Sequence, residues 1–427
     1  MKVRVDDLQE FKQKALQWAS SFDVACFLDS NGFDDQYSKF DFLLAAGVED
    51  DLIINSNGGF SALEEFRKQH AGWMTGFLTY DLKNEVEDLS SSNTNDLHFP
   101  DLYFFIPKHL ILVINGEAEV ISAGAQKVID EIDAQQLIPI GIDSQIQISS
   151  RFSREEYLET VEKIKEHITR GDIYVTNFCQ EFFAETAGID PLKLFIKLNS
   201  ISPNPFSAFF KLKDKYILSA SPERFLAKRG DKLISQPIKG TSKRYIDPVD
   251  DELSKQKLRG HPKEQQENVM IVDLVRNDLT KSAVQGTVKT EELFGIYSFN
   301  QVHQMISTVV CDKDESISDV QVVKNTFPMG SMTGAPKVSA MQLMEQYERS
   351  KRGVYSGAIG YFSPDGDFDF SVVIRTLLYN SRDKYLSFQV GSAITFHADP
   401  EKEYEECLLK AQAILEALDQ HGSFRLP

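Results

Sequence analysis

The sequence predicts an α+β protein built from antiparallel sheets with helices on the outside. Three observations carry this. The 427 residues are 42% hydrophobic and 26% charged, enough apolar chain for a large core and too much for whole-chain disorder. Strand-like runs at 206–212, 216–220, 225–229 and 232–237 follow one another with only turns between them. Such a succession suits hairpins and excludes a doubly wound parallel sheet, in which helices alternate with strands.

The elements can be justified in chain order. Residues 8–20 place Leu8, Phe11, Ala15, Leu16 and Trp18 near helical spacing. Residues 24–29 read as a strand ended by the turn Asn31-Gly32, with further strands at 40–45, 72–80 and 110–114. Residues 88–96 form a polar loop, and 124–134 resemble a helix. Residues 138–150 mix Pro, Gly, Asp and Ser and are the expected connection between an N-terminal region, 1–148, and a second region, 149–420. There Ser153-Arg154-Glu155-Glu156 forms a capping box for a helix that stops at Gly171. Helices are expected at 191–199, 251–258, 262–273, 319–326, 336–347 and 401–417. Strands are expected at 174–185, 357–363, 367–379 and 384–390 as well.

Charge and composition narrow the function. The net charge of −18 argues against a nucleic-acid partner. No run of eighteen apolar residues is present, so no membrane is expected as partner, and the first residues lack an apolar signal core. Both point to the cytoplasm. Cys26, Cys179, Cys311 and Cys407 form no CxxC pair and no zinc spacing, which fits reduced, structural thiols.

Three groups could carry chemistry. Glu264 and Glu267 share one face of a helix, as do Glu403 and Glu406, with Lys410 one turn beyond. Two such faces together suit a hard cation, Mg²⁺ in particular. Spacing alone favours solvated faces near helix N-termini, where the macrodipole suits Glu. Lys239-Gly240 ends a strand in Pro237-Ile238-Lys239-Gly240-Thr241. The pair is either a turn with a solvated lysine or an amine on a pocket wall. The loop 327–337 is rich in Gly, Pro and hydroxyls ahead of a helix but lacks the P-loop order.

Taken together, these segments resemble the chorismate-utilising enzymes. The resemblance runs collinearly from about 150 to 420. It rests on Gly171-Asp172-Ile173-Tyr174, Ser221-Pro222-Glu223-Arg224-Phe225, Pro237 to Thr241, Glu267-Asn268 to Asn277-Asp278, Phe327-Pro328 to Lys337, and Tyr355-Ser356-Gly357-Ala358. It implies two antiparallel β-sheets packed face to face with helices on the outside, the N-terminal region adding strands to the shared core. Lys239, where anthranilate-forming members usually carry Ala, resembles the branch that makes 4-amino-4-deoxychorismate on the way to para-aminobenzoate and folate.

By motif position the resemblance implies Mg²⁺ held by Glu267 and Glu406, with Glu264 and Glu403 as supporting carboxylates. Glu223 resembles the acid that protonates the leaving C4 hydroxyl. Lys239 resembles a nucleophile that adds at C2 before ammonia displaces it through C4. Gly240, Thr241, His303, Ser331, Tyr355, Arg375, Gly391, Ser392 and Lys410 match substrate-site positions. No cysteine lies in a Gly-x-Cys-x-Gly elbow, so a glutamine amidotransferase subunit is the expected ammonia source. Val175 stands where the family commonly has Gln or Lys, and cannot activate water. Ala393 ends a segment that is Gly-Ala-Gly in the family. The competing expectations are an anthranilate-forming component and a non-catalytic chorismate-binding subunit.

Overall fold

Along Val24–Asp29 the side chains alternate between two environments: Val24 and Cys26 enter one apolar cluster, Ala25 and Phe27 another. Phe206–Leu212 does the same, with Ala208 and Phe210 on one side and Phe209 on the other. This buried period of two makes sheets with both faces covered. A computed structural model describes residues 1–33, 35–139, 146–300 and 302–419. Its 20 strands join in one network, and the pairings between them are antiparallel.

The network folds over on itself. Leu102–Ile114 pairs with Phe42–Ile54, that strand with Val24–Asp29, and that in turn with Phe206–Leu212. Phe210, at the far end of this series, still meets the rings of Phe77, Tyr103 and Phe105 at 5.3, 6.0 and 6.0 Å. Two layers therefore face each other across the first cluster. The second cluster lies under the outer helices Leu8–Ser20, Arg154–Arg170, Pro191–Ile201 and Pro400–Ala417. The expected α+β architecture of face-to-face antiparallel sheets with outside helices is the one observed.

Strands before residue 148 pair directly with strands after it. Val24–Asp29 lies against Phe206–Leu212, and Met74–Leu78 against Ala358–Phe362. Of the expected connection at 138–150, residues 140–145 lie outside the described residues. All four cysteines are buried free thiols. Among the described residues no helix is long and apolar enough to cross a membrane.

Most elements fall where the pattern places them. The capping box at Ser153 forms, and Gly171 closes its helix at φ +86°. Three differences have physical causes. The helix expected to end at 273 runs as Pro262–Thr280, because Val272, Val275 and Leu279 continue the buried stripe. The run 367–379 is two strands, Phe368–Val372 and Thr376–Asn380, broken where Arg375 adopts φ +50°. The hairpin Lys289–Ser298 and Val302–Asp312 has no counterpart in the expected strands. Its register shifts at Thr290/Glu292 and Glu292/Gly295 break the alternation that signals a strand.

A buried ion pair braces the interior near the loop 327–337. Arg352 donates to Glu348 at 2.7 and 3.0 Å, to the Met332 carbonyl at 2.6 Å and to the Asn177 carbonyl at 2.8 Å. Glu348 accepts the Cys179 amide at 3.0 Å. One guanidinium thus ties a helix end to the loop and to Val175–Ala184. Arg352→Met should cost about 3–5 kcal/mol, since it strands a buried carboxylate and two carbonyls. A lower midpoint of chemical denaturation checks this.

Candidate functional site

Lys239 and Gly240 sit on Ile238–Lys243, which pairs with Val302–Asp312 through a bulge between Ile238 and Thr241. A bulge re-aims side chains at the point where it interrupts the ladder. Gly240 has φ +94°, and a Cβ there would lie 3.0 Å from Glu264 Oε2 and 3.3 Å from Leu258. Glycine is required on both counts. Lys239 makes no hydrogen bond or ion pair among the described residues. Its charge nevertheless stands close enough to pull down the pKa values of Glu223, Glu264, Glu267 and Glu406. It is a half-buried amine held in a carboxylate-lined wall.

The wall is built by two helices. Pro262 starts Pro262–Thr280, and Glu264 and Glu267 follow on one face. Asp399 caps Pro400–Ala417, which carries Glu403, Glu406 and Lys410. Glu403 is buried and accepts from the Ser392 hydroxyl and from Lys263, whose ammonium is 3.4 Å away. Glu267 is buried and Oε1 has no hydrogen-bond partner, its nearest cation being Lys263 at 3.7 Å. Glu406 is 45% exposed and pairs with Lys410 at 2.8 Å. Burial pushes Glu264 and Glu267 up, whereas Lys410 holds Glu406 down.

These donors fit a hard divalent ion. All are carboxylate oxygens, and an orphaned buried oxygen on Glu267 has a lone pair to give. Among the described residues no three His, Cys, Asp or Glu side chains gather tightly enough to hold an ion by themselves. Mg²⁺, the expected ion, would need only one or two of these carboxylates, with the rest of its shell left to water and substrate.

Glu223 lies between Lys215–Ser221 and Arg224–Arg229, 4% exposed. Burial raises its pKa to about 7, against the opposing pull of Ser331, Lys239, the Ile238 amide and Arg375. Ser331 comes from the loop 327–337, and a small cavity lined by both residues, Pro237, Val275, Met329 and Gly330 adjoins them. Arg375 occupies the break between two strands with φ +50°. Its guanidinium has no hydrogen bond or ion pair among the described residues, and burial lowers its pKa to about 10 while Glu223 pulls it up. A planar fork left without an anion is suited to a ligand carboxylate.

The remaining predicted residues divide. Gly391 and Ser392 lie on Tyr385–Thr395, beyond Phe388, where its pairing with Thr376–Asn380 ends. A Cβ at Gly391 would come within 2.7 Å of Cys179 Sγ and 2.9 Å of the Asn177 side chain. Lys410 donates to the Gly391 carbonyl at 2.8 Å, tying this strand to the acidic helix. Tyr355 is buried beside Cys179, beneath the same strand. Val175 is 3% exposed and offers no proton acceptor.

His303 stands apart. Its Nε2 pairs with Asp251 at 2.9 Å and its Nδ1 with Ser298 Oγ at 2.9 Å. It lies opposite Ser242, on the face covered by Pro248–Arg259. Thr241 instead faces Gln304, which is 2% exposed and has an unpartnered side-chain oxygen. One residue in register exchanges the faces of a strand, so Gln304 lies on the face opposite His303. A strand read across 302–312 would have separated the two. Glu348 and Arg352, which set the depth of Asn177 and Cys179, were likewise not expected from sequence and carry no local motif.

The chain as a whole also matches a known family. Residues 36–416 match the family described as chorismate binding enzyme. Aminodeoxychorismate synthase component 1 of Escherichia coli (strain K12) is 35% identical over 356 residues, covering 82% of this chain and 77% of that protein. Anthranilate synthase component 1 of Cereibacter sphaeroides is 32% identical over 377 residues, covering 83% and 75%. Anthranilate synthase component I from Streptococcus pneumoniae TIGR4 has the same fold, with a TM-score of 0.79 at 23% identity over 89% of this chain and 93% of that one. With nearly the whole chain matched and the site formed by the matching segments, this protein belongs to the chorismate-binding enzyme family.

Proposed function

We propose that the chain is component 1 of an aminodeoxychorismate synthase. It would replace the C4 hydroxyl of chorismate by an amino group from ammonia, releasing water and giving 4-amino-4-deoxychorismate. The observation that carries this reading is the unpaired Lys239 amine, set on a bulge between the Glu223 acid and the carboxylate wall. Relatives named as aminodeoxychorismate synthases, at about 35% identity over 82% of the chain, support it.

The residues divide the work. The free guanidinium of Arg375 takes one substrate carboxylate. Glu267 and Glu406 would hold Mg²⁺, which supplies charge for the other carboxylate and fixes the ring. Glu223, still substantially protonated near neutrality, gives its proton to the departing C4 hydroxyl. Hydroxide is a poor leaving group, so the acid lowers the barrier where charge develops. Lys239, once deprotonated, bonds at C2 as the C4–O bond breaks. Ammonia then bonds at C4 and the C2–N bond breaks, returning the amine. Dividing one substitution into two is the gain of covalent catalysis. Val175, buried and without a proton acceptor, cannot itself activate water. A separate glutaminase subunit supplies the ammonia.

The defining experiment is incubation of the purified chain with chorismate, Mg²⁺ and ammonium, with mass identification of the product. Retention of the enolpyruvyl group supports the proposal; anthranilate with pyruvate release would replace it by the anthranilate reading. Glutamine without a second protein should give no turnover, whereas ammonium should restore it.

Lys239→Ala should remove most aminodeoxychorismate formation while leaving chorismate affinity within a few-fold, because the carboxylate contacts lie on other residues. Intact-protein mass spectrometry after chorismate and Mg²⁺ without ammonia should place an adduct on the peptide containing Lys239. A wild-type rate in the Ala variant refutes the role.

Glu223 is protonated in the folded protein up to about pH 7 and ionises as pH rises through that value. The general-acid form is lost in the same window, so kcat/KM should fall on the alkaline side with a midpoint near 7. Glu223→Gln should lose that limb, together with roughly 10²–10⁴-fold of the rate. A rate–pH profile of both proteins measures it.

A further inference from the structure

Lys263 is the second residue of Pro262–Thr280. A cation in the first turn of a helix opposes the macrodipole, so its position needs another cause. The cause is visible in its contacts. The ammonium stands 3.4 Å from Glu403 Oε1 and 3.7 Å from Glu267 Oε1, bridging the two acidic helices. Its pKa is raised by Glu403, Glu267 and Glu264, against burial. The Glu267 oxygen that it approaches is the orphaned one. The lysine side chain is 41% exposed, whereas Glu267 and Glu403 are 10% and 3% exposed. The carboxylates are therefore fixed, and the cation between them is on a flexible stem with a path to water.

We infer that Lys263 is an exchangeable counter-ion of the metal-holding carboxylates, competing with the divalent cation for the same oxygens and setting how tightly it is held. The inference rests on the metal assignment in the proposed function. With Lys263 in place, the charge of Glu267 and Glu403 is partly offset without a metal. A divalent ion at Glu267 must displace the ammonium, which swings outward, or bind against its charge. A unit charge about 4 Å from a divalent ion changes a binding equilibrium by on the order of tenfold even when screened as in water.

The test uses the full chain and MgCl₂ alone, without substrate. Mg²⁺ affinity is measured by isothermal titration calorimetry, and the unfolding midpoint is followed against Mg²⁺ concentration. Lys263→Met keeps the apolar stem and removes the charge. It should bind Mg²⁺ about tenfold more tightly, have a lower midpoint without Mg²⁺ and show a larger rise with it. Lys263→Arg should stay near wild type. Equal or weaker Mg²⁺ binding by Lys263→Met overturns the inference while leaving the metal assignment intact. Glu267→Gln run in parallel separates the two readings. If it responds to Mg²⁺ as wild type does, or if no form of the protein responds, the metal assignment falls and the inference with it.

Discussion

The mutual repulsion of four carboxylates is the constraint on which the site depends. Glu264, Glu267, Glu403 and Glu406 come from two helices that pack near one another, and like charges at such range cannot all ionise without compensation. Lys239, Lys263 and Lys410 provide it in three ways. Lys410 is fixed to Glu406 and to the Gly391 carbonyl. Lys263 bridges the helices and reaches solvent. Lys239 pairs with none of the four and acts on Glu264, Glu267 and Glu406 through its field alone. Lys239 is thus the lysine of the wall without an ion pair among the described residues, as its proposed role as nucleophile requires. The charge balance of the wall and the presence of an unpaired amine are one arrangement.

The scaffold holds this arrangement by rigid means. Gly240 and Gly391 stand where a single added carbon would strike Glu264 on one side and Cys179 on the other. The Glu348–Arg352 pair, buried behind Cys179, fixes the strand against which Gly391 lies. Arg375 keeps a left-handed backbone conformation that non-glycine residues seldom adopt, at the one place where a strand must stop and a guanidinium must turn toward Glu223. Strain of this kind is sustained because the strands on both sides are fully paired.

Much of this was legible in the residues. Glu264 with Glu267, and Glu403 with Glu406, could be placed on helix faces because helical spacing is local. The antiparallel class followed from strands without intervening helices. What spacing could not say is that the two faces meet, since that is a property of packing between segments about 140 residues apart. Recognition of collinear motifs supplied it. His303 shows the limit of such transfer. The residue type fitted, but both strands paired at His303 with the one that carries it contain register shifts, and side-chain direction reverses with each residue. Gln304 was hidden for the same reason. The Glu348–Arg352 brace has no signature beyond an i,i+4 pair, which elsewhere in the chain marks exposed helix surface.

The interleaving of early and late strands has a consequence for synthesis. Met74–Leu78 has Ala358–Phe362 as one of its two neighbours, and Val24–Asp29 waits for Phe206–Leu212. A chain emerging from the ribosome N-terminus first must carry an unfilled, apolar strand edge across nearly three hundred residues of translation. Such edges are templates for pairing with the wrong chain. The first third of the protein therefore cannot mature as an independent unit, and the sheet closes only when translation is almost done. For this fold, the length of polypeptide between partner strands sets how long the nascent chain needs protection by chaperones.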